Sequence, residues 1–77
     1  MQQTDFPLRG EFITLDALLK ATGLADSGGG AKMLIGQGRV QVDGREELRR
    51  GAKLRAGQVV AVQGVRVRLL AAPTSAD

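Results

Sequence analysis

The stretch that decides the fold runs from Ser27 to Gly44 and reads Ser-Gly-Gly-Gly-Ala-Lys-Met-Leu-Ile-Gly-Gln-Gly-Arg-Val-Gln-Val-Asp-Gly. Ser27 suits the N-cap of a helix, because its hydroxyl can accept a hydrogen bond from one of the first unpaired amides. Apolar residues then recur at helical spacing at Ala31, Leu34 and Ile35. Gly38 tolerates the positive φ at which many helices end. The first part of the stretch therefore predicts a short helix.

The second part of the stretch has the pattern of a strand followed by a tight turn. Val40 and Val42 alternate with polar residues, as in a half-buried strand. Asp43-Gly44 is a dipeptide that two-residue hairpin turns prefer. Basic side chains accompany these elements at Lys32, Arg39 and Arg45. A glycine-rich helix start, a strand and a turn thus follow one another within one short basic segment.

Another helix is predicted immediately before this stretch. Its apolar stripe consists of Leu15, Leu18 and Leu19. Thr14 suits its N-cap and Gly23 suits its end. Because only a very short link joins the two helices, they must pack against each other. Residues 11–14 are compatible with a short strand or with an apolar lead-in, and we expect Phe12 or Ile13 to pack under the core.

The residues after the turn predict the rest of a small antiparallel sheet. Lys53-Leu54-Arg55 places one apolar residue between two cations, as a short edge strand would. Residues 58–62 are rich in β-branched side chains and predict a strand. Gln63-Gly64 marks a further turn. In residues 65–69 apolar side chains alternate with arginines, which predicts a final strand with one solvated face.

These elements predict an α+β fold in which two short packed helices lie against a small, mainly antiparallel sheet. At 77 residues the chain has room for one small domain. We expect residues 1–10 to form a flexible arm, residues 11–70 the single domain and residues 71–77 a flexible tail. We also expect a monomer.

Composition excludes several classes of function. The chain has no Cys and no His, so it lacks disulfides, the usual zinc ligands and the usual catalytic nucleophile and base. Asp16 and Glu47 are conceivable acid/base groups, yet each has a simpler role as a helix-start or surface charge. We therefore expect no enzymatic activity and no cofactor. With no apolar run long enough for a membrane span and no signal-peptide pattern, we expect a cytoplasmic protein.

Charge is concentrated in the middle of the chain. The formal net charge is +3, and residues 32–55 hold seven basic side chains but only three acidic ones. Such a cluster is the footprint of a phosphate-binding face. The alternative is a solvated surface on which Glu46 and Glu47 neutralise their neighbours. Seven cations are hard to pair with three anions, which favours phosphate binding.

Three consecutive glycines open the helix that follows Ser27. Glycine in a helix costs about 1 kcal/mol relative to alanine, so the run needs a reason. The run Gly-Gly-Gly-Ala-Lys at 28–32 does not fit a P-loop, because the spacing of glycine to Gly-Lys-Ser/Thr is wrong and no strand precedes it. For Gly29 and Gly30 we favour close packing of a neighbouring element. For Gly28 we favour the approach of a phosphate to the helix start.

The chain is poor in aromatic residues, with only Phe6 and Phe12. Proteins that bind single strands stack bases on exposed aromatic rings, and this chain has almost none. Charge and shape are the means by which proteins bind folded, A-form RNA. A nucleic-acid face on this chain is therefore expected to recognise structured RNA.

At this point the motifs resemble a known family, the S4 RNA-binding domain. The resemblance rests on Leu15-Asp16 with Leu18 and Leu19, on Ser27 with Ala31, on Ile35-x-x-Gly38-x-Val40-x-Val42-Asp43-Gly44, and on Gly57 before Val59-Val60. Ser-Gly-Gly-x-Ala-Lys at 27–32 and Glu-x-Arg-Arg-Gly-x-Lys-Leu at 47–54 resemble its small stand-alone bacterial type, called YbcJ-like. The similarity covers roughly residues 11–63.

The resemblance implies a helix pair on a small sheet, the alpha-L motif, with RNA bound along the helices and the adjoining loop. Many relatives carry an Arg before the Leu-Asp of the first helix and another after the Ser of the second. Here these positions hold Thr14 and Gly28, which shifts the expected contact toward the loop at 45–53. The candidate RNA-binding residues are Ser27, Gly28, Lys32, Arg39, Arg45, Arg49, Arg50 and Lys53.

The sequence thus predicts a non-catalytic module that binds structured RNA, either ribosomal or transfer RNA, with the ribosome as a candidate partner. The alternative is a protein–protein adaptor that docks on a larger enzyme or on the ribosome through protein. Charge alone does not separate RNA binding from non-specific DNA binding.

Overall fold

The computed structural model describes residues 2–72, which form two short helices and seven strands. In chain order the elements are β1 (Gln2–Pro7), β2 (Ile13–Thr14), α1 (Leu15–Ala21), α2 (Gly28–Gly36), β3 (Val40–Val42), β4 (Arg45–Glu46), β5 (Lys53–Leu54), β6 (Val59–Val62) and β7 (Val65–Leu70). No helix within these residues is long and apolar enough to cross a membrane. The predicted α+β class is confirmed.

Five strands form one mixed sheet in the order β1-β7-β6-β3-β4. Neighbouring strands run antiparallel except β1 and β7, which are parallel, with Gln2 opposite Val65. The remaining two strands, β2 and β5, pair separately as a short antiparallel ribbon. The sheet is therefore mainly antiparallel, as predicted.

Two tight turns set the register of the sheet. At both turns a non-glycine residue and the following glycine have positive φ, with Asp43 at 53° and Gly44 at 82°, and Gln63 at 52° and Gly64 at 82°. Positive φ at both central residues defines the type I′ turn, whose twist matches that of the strands it joins. The predicted turns at these two positions are confirmed.

The core lies between the helix pair and one face of the sheet. Along β7, Val67 and Leu69 are buried while Arg66 and Arg68 are exposed, so the predicted alternation is confirmed. The largest buried side chains from all the packed elements are Leu15, Leu18, Leu19, Ile35, Val40, Leu54, Val60, Val62, Val67 and Leu69. None of the described polar or charged residues is buried, so apolar packing alone holds the core together.

Helix α2 begins and ends as its sequence indicates. The hydroxyl of Ser27 accepts a hydrogen bond from the amide of Gly30 at 3.2 Å. At the other end Gly38 has a φ of 73°, and the amides of Gly38 and Arg39 bond the carbonyls of Ile35 and Leu34 at 3.1 Å each. This pair of bonds is the Schellman motif, which turns the chain from the helix into β3.

The N-terminal segment differs from the expectation of a flexible arm at residues 1–10. Residues 2–7 form β1, and the amide of Leu8 bonds the carbonyl of Leu70 at 3.0 Å. Leu8 is buried, and Phe6 packs against the core. The segment looks featureless in sequence because its partner strand lies at the other end of the described chain. Residues 73–77 of the predicted tail lie outside the described residues.

The lead-in to α1 resolves two alternatives that the sequence left open. Ile13 and Thr14 form the strand β2, opposite Leu54 and Lys53 of β5. Ile13 packs against the core, whereas Phe12 is 41% exposed. Of the two side chains expected to pack under the core, Ile13 is therefore the one that does.

Candidate nucleic-acid interface

Residues 45–53, here called the basic loop, are fastened to the start of α1. The amide of Leu15 bonds the carbonyl of Ala52 at 2.9 Å, and the amide of Asp16 bonds the carbonyl of Arg50 at 3.0 Å. The first amides of a helix have no partner within the helix, so these two bonds satisfy donors that would otherwise need a side-chain cap. The basic loop is thus held beside the N-terminal end of α1.

This arrangement corrects the role predicted for Thr14. Thr14 occupies the N-cap position of α1, but its side chain makes no capping bond to the helix amides. The loop carbonyls bond amides in the first turn instead. The sequence could not indicate this, because the acceptors belong to backbone atoms more than thirty positions further along the chain.

Within the basic loop, Arg49 is paired with Glu47. The Glu47 carboxylate accepts bonds from the Arg49 Nε at 3.0 Å, its Nη2 at 3.3 Å and its backbone amide at 3.1 Å. The hydrogen bond from the Arg49 side chain, together with its positive charge, holds the pKa of Glu47 below its usual value. The Arg49 side chain stays 79% exposed. Glu47 therefore orders Arg49 without burying it.

The other candidate cations carry no ion pair within residues 2–72. The two ion pairs found there join Arg49 to Glu47 and Arg68 to Asp5. The unpaired and exposed candidates are Lys32, Arg39, Arg45, Arg50 and Lys53. Among the candidate cations, a direct ion pair with a carboxylate is therefore found at Arg49 within the described residues.

The three glycines at the start of α2 lie at an open surface. A Cβ added at Gly28 would meet no atom within 4 Å outside its immediate neighbours. At Gly29 and Gly30 it would meet the Ser27 hydroxyl at 3.8 and 3.7 Å, and at Gly30 also the Ala25 methyl at 3.9 Å, all ordinary contacts. The packing role predicted for Gly29 and Gly30 is therefore wrong. No neighbouring element comes close enough to require glycine.

Shallow recesses separate the candidate residues into groups. Ser27 and Arg39 line one open depression of about 420 Å³ between the start of α2 and its C-terminal end. Arg45 lines a different one, of about 470 Å³, together with the acidic residues Asp43, Glu46 and Glu47. The acidic surroundings make Arg45 the candidate least suited to an anion. Arg49, Arg50 and Lys53 share the basic loop.

Sequence reasoning missed a contact that adjoins the basic loop. The Nζ of Lys53 lies 5.0 Å from the centroid of the Phe12 ring, and the Cζ of Arg55 lies 5.9 Å from it. Lys53 was a candidate, whereas Phe12 and Arg55 were not. The available signal was the alternation of Lys53-Leu54-Arg55, which puts both cations on one face of a strand.

Two features of the described residues concern metal binding and acid–base chemistry. No group of three or more possible metal-ligating side chains lies together among them. Hydrogen bonds from the Thr14 side chain and from the Ala17 amide (2.8 Å) hold the pKa of Asp16 below its usual value. The pKa values of Asp16 and Glu47 are therefore both shifted in the direction opposite to the raised pKa that a carboxylic general acid needs near neutral pH.

Comparison with known proteins finds a family model and relatives that match most of this chain. The S4 domain family model matches residues 6–70. YbcJ from Escherichia coli (strain K12) is 42% identical over 59 residues, which cover 77% of this chain and 84% of YbcJ. RlbA from Bacillus subtilis (strain 168), named a probable ribosome maturation protein, is 41% identical over 54 residues, 70% of this chain and 76% of RlbA.

A solved structure shows the same architecture. The solution structure of E. coli YbcJ, described as revealing an alfaL motif involved in RNA-binding, superimposes with a TM-score of 0.67 at 39% identity. The superposition covers 86% of this chain and 85% of YbcJ. The resemblance found in the motifs is thereby confirmed. Since the family model spans most of the chain and the relatives match along most of their own lengths, this chain belongs to the S4 domain family.

Proposed function

We propose that the protein is a non-catalytic module that binds structured RNA through the basic loop and the start of α2. In this proposal the RNA-facing residues are Ser27, Gly28, Lys32, Arg39, Arg45, Arg49, Arg50 and Lys53. The loop supplies most of the positive charge, and the helix start supplies exposed backbone amides. The RNA class is ribosomal or transfer RNA.

The observation that carries the proposal is the fastening of the basic loop to α1 by its own backbone. Because the carbonyls of Arg50 and Ala52 bond the helix start, the backbone of the loop is ordered before any ligand arrives. The side chains of Arg50 and Lys53 remain exposed and without ion pairs among the described residues. Pre-ordered cations bind phosphates more tightly, since less conformational entropy is lost on binding.

The shape of the surface favours structured RNA over single strands. Single-strand binders present a succession of aromatic rings, whereas Phe12 is the one strongly exposed ring among the described residues. A-form RNA is bound mainly through phosphates, 2′-hydroxyls and overall shape, which a rigid basic surface can match. The names of the relatives agree, because YbcJ is described with RNA-binding and RlbA with ribosome maturation.

A protein–protein adaptor remains the rival function, and one observation favours it. Met33 and Leu48 are large apolar side chains that are 62% and 58% exposed, and both lie on or beside the proposed face. Purification separates the two readings, because a nucleic-acid binder should carry excess absorbance at 260 nm. The chain has no Trp or Tyr to mask that signal.

The direct test reverses the charge of the basic loop. We expect Arg49→Glu, Arg50→Glu and Lys53→Glu together to abolish binding to a tRNA or to a ribosomal RNA fragment. All three side chains are exposed, so the fold should survive, as circular dichroism would show. A matched control reverses three cations elsewhere, at Lys20, Arg66 and Arg68, and should weaken binding far less. If both triple variants lose RNA affinity equally, the loss depends on net charge and not on position, which would contradict the proposed face.

A further inference from the structure

Phe12 is exposed, although the next residue, Ile13, packs against the core. It precedes β2, in which Ile13 lies opposite Leu54 and Thr14 opposite Lys53 of β5. Because side chains alternate along a strand, Ile13 and Leu54 face the core, and Phe12 shares the outer face of the ribbon with Lys53 and Arg55. The result is an aromatic ring, 41% exposed, with two cationic groups over it at 5.0 and 5.9 Å.

Phe12 also forms one wall of a recess of about 440 Å³. The other walls are mostly apolar and include Phe6, Leu8 and Ile13, with Ala17 and Ala21 contributed by α1. Arg9 is the charged residue among those that line it. This volume lies within the range of about 300–1,000 Å³ that is usual for sites that hold small ligands or groups.

The charges around the ring indicate what the recess would accept. Arg9 lines the recess, whereas Lys53 and Arg55 lie over the Phe12 ring, and none of the three cations has an ion pair in residues 2–72. An aromatic ring flanked by cations is complementary to a nucleotide, whose base stacks on the ring while its phosphates meet the positive charges. Lys53 also belongs to the basic loop. An RNA strand whose phosphates follow the loop would therefore reach the Phe12 ring directly.

We propose that Phe12 is a stacking platform for one unpaired base of the bound RNA, and that Arg9, Lys53 and Arg55 hold the phosphates on either side of that base. The inference rests on the proposed function and adds the class of RNA, a folded RNA with a bulged or flipped-out nucleotide. The basic loop would bind the helical part, and the ring would select RNAs in which a base is free to leave the stack.

The test compares two RNA hairpins with the same stem, one fully paired and one with a single bulged adenosine. We expect the wild-type protein to bind the bulged hairpin more tightly. Phe12→Leu keeps an apolar side chain but removes the aromatic face, so the affinity for the bulged hairpin should fall by about fivefold or more. The affinity for the paired hairpin should stay unchanged. Phe12→Trp should retain the preference, because its ring still stacks.

The matched control is Leu70→Ala, which truncates another exposed apolar side chain, on the far face of the sheet. It should bind both hairpins as the wild type does, and melting curves should show that each variant is folded. A wild-type protein that binds both hairpins equally would overturn this inference alone, as would a folded Phe12→Leu variant that keeps the wild-type preference for the bulged hairpin. A wild-type protein that binds neither hairpin would overturn the proposed function as well.

Discussion

Glycines along α2 and its C-cap serve different purposes. Gly38 is required, because its φ is 73° and the Glu46 carboxylate lies against the position that a Cβ would take. Gly28 has a helical backbone and open space where a side chain would be, and so has Gly36 at the other end of the same helix. Packing therefore gives neither Gly28 nor Gly36 a reason to be glycine, and the phosphate approach proposed for Gly28 needs a test of its own.

Replacement of Gly28 by Arg tests this role. We expect Gly28→Arg to leave the protein folded and slightly more stable, since Arg is favoured over Gly in a helix by several tenths of a kcal/mol, on the order of 0.5. If the position faces RNA, the added cation should tighten binding, and the log–log salt slope should steepen by a little under about 1. Titrations of one structured RNA at several salt concentrations measure both effects.

Leu70→Arg provides the control, because it adds the same cation at an exposed position on the far face of the sheet, away from the proposed RNA-facing residues. Melting curves check that this variant is folded, and its slope should stay close to that of the wild type. If the slope of Gly28→Arg also equals the wild-type value, Gly28 does not lie on the binding face. An unfolded Gly28→Arg protein would instead show that the open space at this position is needed by the fold.

At the scale of elements, the basic loop combines positive charge with one carboxylate that orders it. Glu47 accepts three hydrogen bonds from Arg49, and its negative charge lies close to the surface that is proposed to meet phosphates. The same carboxylate therefore helps the loop hold its shape and opposes the approach of an anion. These two effects can be separated, because an amide retains the acceptor oxygen without the charge.

We expect Glu47→Gln to increase RNA affinity by a few-fold and to steepen the salt slope by less than about 1, since the positive charge of Arg49 is then no longer offset by a neighbouring carboxylate. Filter binding or fluorescence anisotropy across a salt series measures this. Glu46→Gln removes the same charge from a carboxylate that has no ion pair among the described residues, and should have the smaller effect. Weaker binding by Glu47→Gln would indicate that the ordering of Arg49 matters more than the charge.

At the scale of the whole molecule, the sequence predicts those elements whose defining residues lie close together in the chain. The helix caps at Ser27 and Gly38 and the turn at Asp43-Gly44 depend on residues a few positions apart, so the pattern was sufficient. Strand β1 is different, because its polar residues become a strand only by pairing with β7 at the other end of the described chain.

The candidate site divides in the same way. The cations of the basic loop could be found from composition, and the motif at 27–32 pointed to the helix start. The arrangement of these cations beside α1 could not be predicted from the sequence, because it depends on backbone carbonyls of the loop that accept hydrogen bonds from the start of α1. The exposure of Phe12 was also hidden, since it follows from a ribbon of only two residues on each strand.

The pairing of β1 with β7 allows a test with two neighbouring proline substitutions. The amides of Gln2 and Leu8 bond the carbonyls of Gly64 and Leu70, so the even-numbered amides of β1 point toward β7. Thr4→Pro should therefore remove a ladder bond and lower the free energy of unfolding by about 1–3 kcal/mol. Gln3→Pro should cost much less, because its amide points away from β7 and proline is tolerated there on an edge strand.

Urea denaturation of the two proline variants and the wild type measures the difference. The expected order of midpoints is wild type, then Gln3→Pro, then Thr4→Pro. Equal midpoints for the two variants would contradict the register of β1. A midpoint for Thr4→Pro equal to that of the wild type would show that β1 contributes little to the stability of the domain.

The parallel pairing of β1 with β7 also has a consequence for the order of folding. The helix pair and the two hairpins join residues that are close in sequence, so each closes a short loop at low entropic cost. β1 is synthesised before all of them, yet it pairs with β7, which is the last strand to be synthesised and completes the second hairpin. During synthesis on the ribosome, Phe6 and Leu8 therefore lack their partner strand β7 until Leu70 has left the ribosome. We infer that this edge of the sheet forms last, and that a nascent chain can assemble its helices and its basic loop before β1 is in place.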